Sequence, residues 1–417
     1  MKKILTAQTL GFNLFCIGLF LLPSALFLAA ISLLISLIFS TISNHKEYFK
    51  DVWNIPFFIG GLIIFISALV HSLGNNTLLQ YEIDDNLSWI GLANWIPFFW
   101  CFWGFKYYLD SSQRRKLCSL ILIAGTFPVL ISGFGQYFFN WFGPMKTLFG
   151  SIIWFQRPIP EREGMTGLFN NANYLGAWLN LIWPFCLASL INTQRNFYEK
   201  LTIATFIFGT SLSLILTNSR SAWIGMVIGT SLTIGRKKYK LFLILISIFI
   251  LLIGIVIFPI FGEFPQLILS KVLPNQIWLE FSDLEISRLD IWKKAFGYIF
   301  KNPIFGSGAG SFTALYKIDS SIWKGHAHNL IIELIISYGL PGGLLIFGNI
   351  FGILRNAIKK VFLTFTYNQN LIFDIAWITS LIVLFFSQMV DVQYFDARIS
   401  LSFWILLSGT RNIITAK

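Results

Sequence analysis

Apolar runs of about twenty residues, the length that crosses a bilayer as a helix, recur from one end of this 417-residue chain to the other. Inside hydrocarbon every backbone N–H and C=O needs an internal partner, so only helices or closed barrels can span it. The runs lack the alternation of barrel strands, so they read as helices. Hydrophobic residues make up 55% of the chain and charged ones only 12%, outside the range of soluble domains. No polar stretch between the runs is long enough for a separate domain. The expected fold is therefore all-α: a single transmembrane domain over residues 1–417, polytopic, with about 12 transmembrane helices.

The spans are predicted near Gly11–Leu22, Ala25–Ile42, Pro56–Leu73, Ser88–Leu109, Leu117–Phe138, Gly167–Ile191, Leu201–Leu216, Ala222–Thr233, Leu241–Phe261, His328–Leu354, Ile372–Val390 and Ile399–Ser408. The opening Met1-Lys2-Lys3 resembles a signal peptide. Its apolar stretch continues past Pro23 to Ile42 without a small-residue cleavage site, which predicts a retained helical hairpin.

A formal charge of +12 raises the question of nucleic acid. The position of the cations answers against it, because most Lys and Arg cluster at the ends of apolar runs, as in cytoplasmic loops. Starting inside, the cytoplasmic segments carry Lys2 and Lys3; Lys46 and Lys50; Lys106, Arg114, Arg115 and Lys116; Arg195 and Lys200; Arg236, Lys237, Lys238 and Lys240; Arg355, Lys359 and Lys360; Arg411 and Lys417. The first long external loop holds Glu82, Asp84 and Asp85 with no Lys or Arg. Both termini are predicted to be cytoplasmic. The four cysteines fall in or beside apolar runs with no metal-ligand spacing, which makes them buried thiols.

Two external segments exceed simple turns: Phe139–Thr166, and residues 262–327 between the ninth and tenth helices. In the second, Ser282-Asp283-Leu284-Glu285 reads as a capping box, with Ile286, Leu289, Trp292, Phe296 and Ile299 at helical spacing. That predicts an amphipathic helix on the outer membrane surface, carrying Arg288, Lys293 and Lys294. Asn302-Pro303 ends it, and the glycine run Gly306–Gly310 makes a flexible turn. That run is no nucleotide loop, since it follows a helix and lacks a βαβ context.

Three positions at external helix ends carry the chemistry: Arg220 in the short turn Thr217–Trp223, Arg288, and His328 in Gly325-His326-Ala327-His328-Asn329. Each has a plain reading beside the functional one. Arg220 can snorkel at a helix end or grip a phosphate with its planar fork. Arg288 can be a solvated charge on an amphipathic helix, and His328 a satisfied polar residue. The His326–His328 pair invites a metal, but too few acids lie nearby in sequence to complete a shell, and no metal is expected.

These residues resemble the O-antigen ligase and polymerase family, membrane glycosyltransferases that use polyprenyl-diphosphate-linked glycans. The family's ligase motif is His followed by Asn, Ser or Gln, nine residues, Gly, two residues, then Gly, Thr or Tyr; here it reads His328-Asn329 through Tyr338 to Gly339-Leu340-Pro341-Gly342. Asn171-Ala172-Asn173, Ser219-Arg220, and Arg288, Trp292 and Ala295 followed by Pro303, Gly306, Gly308 and Phe312 extend it over roughly Gly167–Gly342. The amino-terminal third is similar in hydropathy alone. The family commonly has Pro where Ala172 stands and Gly where Ser221 stands.

The resemblance implies a glycosyltransferase C-like fold, a metal-independent reaction without a cofactor, and an active face in the periplasm, on the outer side of a bacterial inner membrane. Arg220 and Arg288 would bind the donor diphosphate, joined by Asn173, His326 and Asn329 as substrate-binding residues, and His328 would act on the acceptor hydroxyl as a base or an orienting group. Direct displacement would invert the sugar centre. The acceptor would be lipid A core, a growing glycan or a protein, with membrane lipid around the protein. A second function stays open, a transporter of a small anion such as bicarbonate, for which the interruption at Gly339-Leu340-Pro341 is the one suggestive feature.

Overall fold

A computed structural model of the chain describes residues 2–73, 86–159, 164–191, 196–234, 288–364 and 371–415. It is a helical bundle with a single two-stranded hairpin, Met145–Thr147 against Ile152–Trp154, so the all-α expectation holds but for this one addition among the described residues. Six helices there are long and apolar enough to cross a membrane. The predicted span Leu241–Phe261, the Ser282–Glu285 capping box and the acidic loop at Glu82–Asp85 lie outside the described residues.

The long runs fold as their hydropathy predicts: Lys2–Leu21, Leu26–Asn44, Asn54–Leu73, Ala172–Ile191, Phe197–Leu216, Arg220–Ile234, Ile372–Ser387 and Ala397–Thr415. Ala172–Ile191 is the central helix. Its apolar residues pack all round, with Trp178, Trp377 and Trp404 fully buried at the heart of the bundle. Peripheral helices instead show large apolar side chains outward, such as Phe27, Leu62 and Phe208, as expected of a surface solvated by lipid. The four thiols are free, three of them buried and Cys16 half-buried.

Three predicted spans are broken. The Ser88–Leu109 run becomes Leu87–Leu92 and Ile96–Gly104, with Pro97 in the first turn of the second piece. The Leu117–Phe138 run splits at Thr126 into Ser112–Gly125 and Phe127–Phe139, again just before a proline, which has no N–H for the preceding turn. The Thr126 hydroxyl accepts the Trp178 indole N–H at 3.0 Å.

The third break matters most for function. His328–Leu354 is two helices, Leu330–Tyr338 and Leu340–Ile358, hinged at Gly339 with φ of +88°. Only glycine fits there: a Cβ would stand 2.0 Å from the Ile304 carbonyl oxygen. The first piece belongs to a second core, where Ile332, Ile335 and Ile336 pack against Ile291, Ala295, Tyr298 and Ile299 of helix Arg288–Lys301 and Phe312 and Tyr316 of helix Ser311–Ser320. The helix at Arg288 exists as expected, and the predicted apolar stripe divides, with Ile299 buried in this core. Leu289 and Phe296 point outward, because tertiary packing selects the neighbouring stripe.

Candidate functional site

The site gathers where helices Ala172–Ile191 and Arg220–Ile234 begin, Phe197–Leu216 and Ile372–Ser387 end, and Leu330–Tyr338 begins. Asn171 caps the central helix by accepting the backbone N–H groups of Asn173 (2.8 Å) and Tyr174 (3.4 Å). The turn before Arg220 is tight. Asn218 takes a left-handed conformation (φ +52°), and the Thr217 hydroxyl accepts the Ser219 N–H. Gly164 lies so close to this turn that a Cβ would sit 2.0 Å from the Thr217 carbonyl oxygen. Gln136 fastens the opposite wall by donating to the Arg157 carbonyl at 2.8 Å and accepting from Thr166 and Gly167.

These walls enclose a cleft of about 260 Å³ lined by Arg157, Arg220 and Arg288 together with Asn171, Asn173, Asn218, Ser219 and Ser221. Among the described residues that line it there is no carboxylate. Two helix N-termini open into it, and each adds partial positive charge and backbone N–H donors. Arg288 keeps much of its surface open to the cleft. Partial desolvation, then the charge of Arg220, pull it below the usual guanidinium range, against the upward pull of Asp391. Such a cleft favours an anion with several oxygens.

Behind Asn173 lies a second polar group. The Asn173 amide donates to Asp391 at 2.9 Å and accepts from the Ser219 hydroxyl at 2.7 Å, which in turn meets Ser221 at 3.0 Å. Asp391, 5% exposed, also takes its neighbour's N–H from Val392 and faces His328 Nδ1 at 3.2 Å and His326 Nε2 at 3.7 Å. Burial raises the Asp391 carboxyl. The hydrogen bond with His328 and the nearby positive charges, Arg288 among them, outweigh it and hold the carboxyl below its ordinary value. A carboxylate can only accept, so His328 Nδ1 bears the proton in this bond, and in the neutral form of the ring Nε2 is the acceptor. His326 accepts the His328 backbone N–H on Nδ1, and burial pushes it down to about 4, so it is neutral at neutral pH.

The loop holding both histidines is fixed from below. His328 itself is left-handed (φ +51°), and the Ala327 N–H is held by Glu333 at 2.8 Å. Burial pushes the Glu333 carboxyl up to about 7 despite that bond. Asn329 caps helix Leu330–Tyr338 through the N–H groups of Ile331 and Ile332 and donates to the Met389 carbonyl.

The structure thus brings Arg220, Arg288 and Asn173 into one cleft and ties His328 and His326 to its wall through Asp391. Asn329 sits in this loop, with its amide engaged by the fold. Arg157 and Asp391 were missed by sequence reasoning. The sole hint of Asp391 was its scarcity, an acid in an apolar region. With His326 and His328 it forms a group whose ligand-type atoms lie within 4.8 Å of one another, so the acid absent from the local sequence arrives from a distant one. Two imidazoles and a carboxylate suit a divalent cation, yet hydrogen bonds already engage each of these groups.

Such geometry defines a polytopic helical membrane protein with an arginine-lined cleft beside a histidine–carboxylate pair. Residues 204–347, about a third of the chain, match the family model described as O-Antigen ligase. A search of curated proteins finds no match.

Proposed function

We propose that the protein transfers a glycan from a polyprenyl-diphosphate carrier to an acceptor hydroxyl at the outer face of the bacterial inner membrane. The observation that carries this reading is the cleft that brings Arg157, Arg220 and Arg288 together with the first residues of helices Ala172–Ile191 and Arg220–Ile234. Departure of the diphosphate builds negative charge, and preorganised guanidinium groups and N–H donors stabilise it without a metal ion. Arg220 and Arg288 grip the diphosphate, with Asn173 at the wall. His328 Nε2 receives the acceptor's proton while Asp391 holds the ring and balances the imidazolium that forms. Direct attack inverts the anomeric centre. About twelve spans, two cytoplasmic termini and a glycosyltransferase C-like arrangement belong to the same reading.

The anion-transporter reading draws less on the Gly339 interruption than the glycan-transfer reading draws on the cleft. The interruption at Gly339 is packed against Ile304, and Leu340 donates its N–H to the Pro303 carbonyl at 2.8 Å, so the described residues close this half-helix end on the protein itself.

The test compares surface glycans of cells carrying wild-type, His328→Ala or Arg220→Ala protein, with the amount of membrane protein measured in parallel. Loss of glycan transfer at normal abundance, undisturbed by a chelator in the wild type, is expected. Loss of all long chains on the lipid core would mark a ligase, single-unit chains a polymerase, and missing glycoprotein bands a protein-glycosylating enzyme. Wild-type glycans in both variants would defeat the proposal, as would accumulation of labelled bicarbonate by proteoliposomes that consume no lipid-linked glycan.

A further inference from the structure

Helix Arg288–Lys301 has two apolar faces. One, formed by Ile291, Ala295, Tyr298 and Ile299, is buried in the second core. On the other, Leu289, Phe296 and Phe300 follow at i, i+7 and i+11 and are 70%, 49% and 76% exposed. Ile304 and Phe305 continue this strip beyond the helix, also exposed. No described residue covers it, and Lys293 stands exposed along its edge.

The strip is fixed at its far end to a membrane helix. The Phe305 carbonyl accepts from the Ser67 hydroxyl at 2.6 Å and faces His71 Nε2 at 3.3 Å, both in the last turns of Asn54–Leu73. That helix is long and apolar enough to span a bilayer and shows Phe65, Ile66, Leu69 and Val70 outward. The strip therefore continues the lipid-facing surface at the level where a membrane helix ends. An apolar strip bordered by lysine at that level suits the headgroup–acyl boundary.

We propose that Leu289, Phe296 and Phe300 form a membrane-docking surface that seats helix Arg288–Lys301 in the leaflet at the site's end of the bundle and sets Arg288 at the depth of a lipid-borne phosphate. The docking itself stands on geometry. The depth-setting role rests on the reading of the cleft as a lipid-diphosphate site. Arg288 is the first residue of the helix, directly beside Leu289, and Trp292 fixes the helix azimuth by donating to the Ala327 carbonyl at 3.0 Å. Lipid would thus hold one side of the arginine's helix and the histidine loop the other.

The experiment uses the full chain in nanodiscs of zwitterionic and anionic lipid, with Cys16, Cys101, Cys118 and Cys186 replaced by Ala and a nitroxide attached at Phe296→Cys, Phe300→Cys or Lys301→Cys. Relaxation by oxygen over an aqueous nickel chelate is expected at 296 and 300, with the reverse at 301. Preference for nickel at 296 and 300, or protection from both reagents by another part of the chain, would overturn the docking. A second variant, Phe296→Ser with Phe300→Ser, is expected to raise KM for the lipid-linked donor roughly tenfold at unchanged kcat. An unchanged KM with lipid contact intact would overturn the depth-setting role. Wild-type protein that transfers no glycan would instead defeat the proposed function and leave the nitroxide result standing.

Discussion

At the end of the bundle near Arg115, buried cations face carboxylates: Arg115 makes two bonds to Asp374, at 2.7 and 2.9 Å, and Arg411, 1% exposed, shares Asp51 with Lys106 at 3.2 and 3.1 Å. At the other end, Arg157, Arg220 and Arg288 line one cleft, and Asp391 behind its wall is engaged with the histidines and Asn173. The first arrangement closes on itself, so its charges serve the scaffold. The second gathers three arginines around an opening, where the proposed function places an anionic ligand. Neither composition nor loop charge separates the two, since both ends are rich in arginine.

The largest effects should fall on opposite observables. Arg220→Ala or Arg288→Ala is expected to lower transfer about 10²–10³-fold, the scale of removing a preorganised transition-state donor, with membrane abundance unchanged. Arg115→Ala leaves Asp374 buried without its partner and is expected to cost about 3–5 kcal/mol of stability. Thermal unfolding and yield should drop while activity per folded molecule stays near wild type. A cleft variant that fails to fold, or an Arg115 variant that folds normally but is inactive, would break the contrast.

A smaller effect is expected from Asp391→Asn, which keeps the shape but removes the carboxylate that fixes the His328 tautomer. The rate should fall about 10²-fold, the range of general-base loss, with KM for the donor little changed. A raised KM at constant kcat would mark Asp391 as a wall residue instead.

The smallest effect concerns Glu333→Gln. A carboxyl raised to about 7 from its ordinary value favours the folded state while protonated. Its stabilising share is complete below the unfolded value near 4.5 and is lost as pH rises through about 7. Glutamine still accepts the Ala327 N–H, so melting temperatures between these pH values should vary less with pH than in the wild type. An unaltered pH profile would remove Glu333 from that role.

The spans were legible because an apolar run longer than a soluble helix leaves few alternatives, as Ala172–Ile191 and Phe197–Leu216 illustrate. The interruption at Gly339-Leu340-Pro341 was legible too, but the break at Thr126 was not, although Pro128 stood in plain view, since proline is tolerated in membrane helices whenever neighbours satisfy the backbone. Arg220, Arg288 and His328 could be read from turn position and residue type. Asp391 could not, because its partners lie 63 and 218 residues away, and only tertiary packing creates the pair. The same limit hid the second apolar face of helix Arg288–Lys301, where Ile291, Ala295 and Tyr298 meet the second core.

The most direct test of the anion-binding cleft is equilibrium binding of a short polyprenyl diphosphate to the purified protein in nanodiscs, wild type against Arg220→Ala. The wild type should bind it, and the variant should bind roughly tenfold or more weakly, the loss expected for a charge-assisted contact to phosphate. Equal affinity in the two proteins, or no binding by the wild type, would contradict the assignment of the cleft to a diphosphate.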